Sequence, residues 1–228
     1  MATTHRRRFP RAEVTPETPI CGREPLRGKR LARRWFLVVT VAEFLGFSIP
    51  AVAGALTADH PLALPVLLLA GAAEGAALGF GQALVLRRAL PALNARHWVA
   101  ATASAAAFAY LLGLAPSTWA AALTTWPPAL LWPVAAVLGI ALLLSIGFAQ
   151  WLVLRHLLAR SARWVVTTAA AWLLGLAVFL GFTMPLWQPG QALVTTVLIG
   201  VFGGLLMAAT TSAVTGFALA RLTPAQTP

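Results

Sequence analysis

The chain is 228 residues long, 59% of them apolar and 10% charged, with a mean hydropathy of +0.80. A soluble domain carries about 25% charged residues, so this composition excludes a water-soluble globular fold and predicts an all-α integral membrane protein. The formal net charge of +11 is confined to a few stretches, which argues for membrane topology and lipid contact and against nucleic acid as a partner.

Ten of the seventeen Lys and Arg residues precede Trp35, and the single cysteine, Cys21, lies among them, so no internal disulfide framework is possible. "RRRFPRAEVTPETPI" contains the Arg-Arg-x-Phe of a twin-arginine export signal. Pro10, Glu13, Pro16, Glu17, Pro19 and Glu24 then follow where such a signal needs an apolar core. Residues 1–33 are therefore expected to be a basic, disordered cytoplasmic tail. It sets orientation and touches anionic lipid, at about 1 kcal/mol per basic residue near such a surface.

Residues 34–228 read as a six-helix membrane domain. Crossing the hydrocarbon takes about 20 apolar residues, and six stretches qualify: 35–56, 62–86, 97–115, 129–154, 163–184 and 192–220. Arg87, Arg88 and Arg96 lie between the second and third, Arg155, Arg160 and Arg163 between the fourth and fifth, and Arg221 after the sixth. The alternate connections contain no Lys or Arg. The positive-inside rule places both termini in the cytoplasm, and the heavy use of Ala, Arg and Pro suggests a bacterial inner membrane. Arg33, Arg34, Arg87, Arg88 and Arg155 are the expected lipid-headgroup contacts. Trp35, Trp98, Trp151 and Trp164 near the inner boundary and Trp119, Trp126, Trp132 and Trp187 near the outer one read as aromatic-belt anchors, with Trp172 alone at mid-depth.

Laid on itself at a period of 63 to 68 residues, the chain aligns three copies. "RRWFLVVT", "RHWVAATA" and "ARWVVTTA" put Trp35, Trp98 and Trp164 in register. "FGQALVLRR", "FAQWLVLRH" and "VTGFALARL" align Arg87, Arg155 and Arg221, with Gln82, Gln150 and Gly216 five residues earlier. The expected architecture is three tandem helical hairpins, 34–96, 97–162 and 163–222, related by an axis along the membrane normal. From Trp35 onward the chain resembles a group of uncharacterised bacterial multi-pass proteins built on a "QWLVLR…RW" pattern, most closely in "QWLVLRHLLARSARWV". That resemblance implies the repeat and implies no activity. Three hairpins of two helices also resemble mitochondrial carriers, but that family's Pro-x-acid-x-x-base signature is absent from the odd helices.

Small residues four apart let membrane helices approach closely. Gly71, Gly75 and Gly79, continued by Gln82, form one such row, and Gly200, Gly204, Ala208, Ser212 and Gly216 form a longer one. Both are expected to be packing surfaces. Gln82 and Gln150 lie near the inner boundary and read as caps for neighbouring backbone groups, with substrate contact as the competing role.

Only Glu43 and Glu74 bring acid into predicted spans. A carboxylate at the bilayer centre costs about 2.5–3.5 kcal/mol on insertion scales. At a helical rise of about 1.5 Å per residue they sit roughly 13 and 20 Å from the inner boundary. The aligned positions hold Ala106 and Leu142 in the second repeat and Trp172 and Ala208 in the third, so the hairpin does not require the acids. Glu43, Glu74, Gln82 and Gln150 are the candidate proton or substrate site. The competing reading makes the two acids neutral groups hydrogen-bonded to backbone or Gln.

His5, His60, His97 and His156 fall in the tail, loops or boundaries, which leaves no His-Glu-x-x-His motif, no Ser/His/Asp set and no phosphate loop. No catalytic residue, metal site or cofactor is predicted, and the chain is not expected to be an enzyme. The leading expectation is a structural or accessory membrane subunit that packs with lipids, other membrane chains or copies of itself. The alternatives are a small proton-coupled transporter using Glu43 and Glu74, and a sensor acting through the basic tail.

Overall fold

The computed structural model describes residues 26–58 and 60–223. These form seven helices and no strand: α1 (Gly28–Thr57), α2 (Ala63–Ala89), α3 (Ala95–Thr118), α4 (Ala120–Leu123), α5 (Pro128–Leu154), α6 (Arg163–Leu186) and α7 (Leu193–Leu222). All except the four-residue α4 are long and apolar enough to cross a membrane, so the chain is an all-α multi-pass membrane protein.

The helix limits follow from local signals. Asn94 caps α3, its Oδ1 accepting from the backbone N–H of Arg96 at 3.1 Å and His97 at 3.2 Å. Pro127 and Pro128 open α5, where a missing N–H costs nothing. Gly190, at φ +79°, turns the chain between α6 and α7. Of the tail expected over 1–33, residues 1–25 lie outside the described residues. Residues 28–33 belong to α1, because no proline interrupts 26–49 and Leu31 is buried in the core. The turn α4, between the third and fourth spans, was not expected.

Each long helix packs on the next, α3 passing directly to α5, and α7 returns to pack on α1. The six long helices thus close into a ring. Trp35 meets both Trp164 and Thr215, while Gln82 and Gln150 meet each other. These contacts gather the arginine-bearing ends of all six helices at one end of the ring.

Burial is lopsided. Leu31, Trp35, Val39, Leu78, Leu86, Trp98, Leu154, Trp164 and Leu219 form one core cluster at the arginine end. On α5 the buried residues are Ile146, Gly147, Gln150 and Leu154, and none is buried between Pro128 and Ile140. In water such an apolar surface would be untenable. In lipid it meets a solvent as apolar as itself.

Candidate functional site

At the arginine end, Trp35, Trp98 and Trp164 are each 0% exposed. This corrects their reading as boundary anchors. They are at anchor depth, but they point into the ring, where every indole N–H finds an acceptor. Trp164 sits edge-on to Trp35 with ring centroids 5.8 Å apart and tilts against Trp98 at 6.4 Å. Trp98 Nε1 donates to Gln82 Oε1 at 3.1 Å, Trp164 Nε1 to Gln150 Oε1 at 2.8 Å, and Trp35 Nε1 to Thr215 Oγ1 at 2.9 Å. Each bond joins an even helix of the sequence pattern to the odd helix that follows it around the ring.

Gln150 Nε2 also donates to Gln82 Oε1 at 2.8 Å and Thr102 Oγ1 at 3.0 Å. The two glutamines therefore bind side chains across the ring and do not cap backbone. The position aligned in the sequence with Gln82 and Gln150 is Gly216, and a longer side chain there has no room. A Cβ on Gly216 would lie 2.8 Å from Trp35 Cδ1, so glycine admits the indole and the adjacent Thr215 supplies the acceptor.

Farther from the arginines lie the two acids. Glu43 is buried between α1 and α7, where Thr211 Oγ1 donates to its Oε1 at 2.6 Å and Ser212 Oγ lies 3.5 Å from its Oε2. Tyr110, on α3, donates to Glu74 Oε2 at 2.6 Å. The partners are hydroxyls, not the backbone or Gln groups expected. Gly46, one turn beyond Glu43, brings α1 against Glu74: a Cβ there would stand 3.2 Å from the Glu74 carbonyl oxygen and 3.3 Å from its Cγ. Both acids therefore belong to one stretch of the α1–α2 hairpin, each tied to a different neighbouring helix.

Glu74 and Tyr110 open onto a cavity of about 380 Å³. All six long helices contribute to its wall, with Phe47 from α1, Leu142 from α5, Trp172 from α6 and Met207 from α7. Ala106, Leu142 and Trp172 occupy positions the repeat aligns with the two acids, and all three line this cavity. The α1–α2 hairpin thus gives the cavity its carboxylate, α3 adds the Tyr110 hydroxyl, and the positions aligned with the acids are apolar.

The glycine rows divide. Side chains at Gly71, Gly75 and Gly79 would collide with Tyr110, Ala106 and Thr102, the Gly75 contact being 2.5 Å from Ala106 Cβ, so that row carries the α2–α3 interface. On α7, Ala208 is buried and Gly216 faces Trp35, whereas a Cβ at Gly200 or Gly204 would meet nothing within 4 Å. The close approach there is at Gly203, where a Cβ would stand 2.6 Å from Thr183 Cγ2. A helix in a ring has two neighbours at different angles. Positions 203 and 207 face α6, 212, 215 and 216 face α1 and Thr211 touches both, so the row of four-residue steps meets α1 at 212 and 216 and runs off both neighbours at 200 and 204.

Arg33, Arg87, Arg88 and Arg155 are exposed and Arg34 is half-buried. Arg155 lies over the Trp151 ring at 5.7 Å and Arg221 over Phe217 at 4.0 Å. Among the described residues no group of three or more His, Cys, Asp or Glu converges as metal ligands would. Tyr110, Thr211 and Trp172 were missed as site residues. Tyr110 carried a signal, being the chain's single tyrosine and falling mid-span. Comparison with protein-family models, curated proteins and solved structures returned no match.

Proposed function

We propose that the protein is a small membrane transporter that takes a solute into the centre of its helical ring, with Glu74 and Tyr110 as the polar contacts. The observation behind this reading is the cavity to which all six long helices contribute and whose wall holds a carboxylate. Its volume falls within the range of small-molecule sites, about 300–1,000 Å³, and its apolar wall with few polar groups matches their usual make-up. A carboxylate is costly in hydrocarbon and faces bundle interiors where ions or solutes pass. The tryptophan layer closes the arginine end, so the cavity belongs to a state open toward the other face. Glu43, held by Thr211 across the α1–α7 seam, is placed to couple that seam to occupancy of the cavity. With both termini cytoplasmic in a bacterial inner membrane, the arginine end is the inner one.

The test is current from full-length protein reconstituted on a solid-supported membrane and challenged with a panel of cationic, neutral and anionic solutes. At least one class should give a current that Glu74→Gln abolishes and Glu43→Gln reduces. Silence across the panel, or equal currents in wild type and both variants, would end the transporter reading. The outer half of α5, which holds no buried residue, favours the accessory-subunit reading as an alternative, and native mass spectra showing a constant stoichiometric partner would support it.

A further inference from the structure

The wall of the cavity specifies the kind of solute. The Lys and Arg residues of the six long helices all lie within their terminal turns at the arginine end, so Glu43 and Glu74 are the only charged side chains in the apolar interior of the spans. Glu43 is enclosed by Thr211 and Ser212, leaving Glu74 as the acid on the cavity. Of its carboxylate oxygens, Oε2 accepts from Tyr110. Among the described residues Oε1 has no hydrogen-bond partner, and it is not among the fully enclosed polar atoms that lack one. Phe47, Tyr110 and Trp172 line the same space, and aromatic rings attract a cation within about 6 Å of their centre.

The cavity also has an apolar extension. A groove of about 900 Å³ runs between α3 and α5 beneath α4, and its lining includes Trp119, Trp126 and Trp132. Gly113 and Leu142 line both spaces. A Cβ on Gly113 would lie 3.5 Å from Leu142 Cδ1, in van der Waals contact, so the two residues form the shared boundary of the two spaces. The groove lies along the half of α5 that holds no buried residue.

Building on the transporter reading, we infer that the solute is an amphipathic organic cation, its nitrogen at Glu74 and its tail in the α3–α5 groove, which shares the Gly113–Leu142 boundary with the cavity. The bound cation supplies the counter-charge that the protein withholds from Glu74, and the tail covers apolar surface of the groove. An anion of equal length meets the same carboxylate with repulsion. A neutral analogue keeps the tail contacts and loses the charge.

The test uses full-length protein in maltoside micelles and a decyltrimethylammonium ion carrying a diazirine near its chain end. Decanoate and decanol probes with the same diazirine serve as comparators, and adducts are mapped by mass spectrometry. The cation should label α3 and α5 between Leu111 and Leu142, and unlabelled decyltrimethylammonium should compete. Glu74→Gln should lower the competed adducts about tenfold, the loss expected when roughly 1.4 kcal/mol of interaction is removed. Leu142→Trp, which enlarges a side chain lining both spaces and leaves the carboxylate in place, should lower them as much. It carries the test if Glu74→Gln fails to elute as a folded protein. Decanoate or decanol probes giving the same competed adducts, unaffected by Glu74→Gln, would overturn the cation and leave the cavity as a binding site. No competed adducts from any of the three would remove the binding reading itself. Crosslinks between two copies through α5 would overturn the tail position by assigning the groove to a second chain.

Discussion

Gln150 joins Gln82, Thr102 and Trp164 by three side-chain hydrogen bonds while fully buried. Interhelical bonds in membranes average about 0.6 kcal/mol each, and stranding the Gln82 and Trp164 partners adds desolvation cost. Gln150→Leu should therefore lose about 2 kcal/mol in detergent unfolding, and Gln82→Leu less, since Gln82 accepts from only two of the bonds recorded here. A second contrast separates contact from composition. Gly75→Leu drives a side chain into Ala106 Cβ and the Thr102 carbonyl, at 2.5 and 2.8 Å even for a bare Cβ, and should cost about 1–3 kcal/mol by overpacking. Gly204→Leu meets open space and should stay within about 0.5 kcal/mol of wild type. Equal melting temperatures for the two variants would show that the α2–α3 approach is looser than the geometry states. The four-residue period placed the α2 row and misplaced the upper α7 row, because spacing identifies a stripe without saying which neighbour it faces.

At the scale of helices, the tryptophan layer joins α1, α3 and α6, and α2, α5 and α7 hold it through their acceptors. Trp164 touches both other rings and bonds to Gln150. Trp164→Ala should cost about 3–5 kcal/mol, whereas Trp119→Ala, on a half-exposed residue at the opposite boundary, should cost about 0.5 kcal/mol or less. Chemical denaturation of the two purified variants decides the matter, and comparable losses would return Trp164 to the belt. The helices themselves were legible because about 20 mostly apolar residues with at most one acid inside leave few alternatives. The role of their tryptophans was not. Belt and core tryptophans share the same depth, and only the direction of the side chain, set by helix rotation within the ring, tells them apart. One clue stood in the sequence: Trp98 and Trp164 each follow a Gln by about four helical turns, the spacing of a loop that folds one helix end beside the next.

For the molecule as a whole, lopsided burial implies lopsided access to water. The arginine end is filled by indoles and leucines, while the other end holds the cavity and an uncovered groove. Water and small polar reagents should reach the cavity from the face opposite the arginines and go no farther than the tryptophan layer. Cysteine accessibility in intact cells tests seal and orientation together. The background is Cys21→Ser, which removes the chain's single cysteine. A membrane-impermeant cationic thiosulfonate should modify Ser117→Cys, near the end of α3 away from the arginines, and Ala109→Cys, on the cavity wall. Ala159→Cys, exposed in the connection between α5 and α6, should react only after permeabilisation. Val39→Cys, 1% exposed within the core cluster, should react under neither condition. Modification of Ala159→Cys in intact cells would invert the orientation and leave the seal intact. Modification of Val39→Cys from either face would instead break the seal, because a water path through the indole layer would give the cavity access to both sides at once. A ring open at both ends could conduct, but it could not hold a solute against a gradient. The unreactive core is thus the measurement on which a transporter, as distinct from a pore, depends.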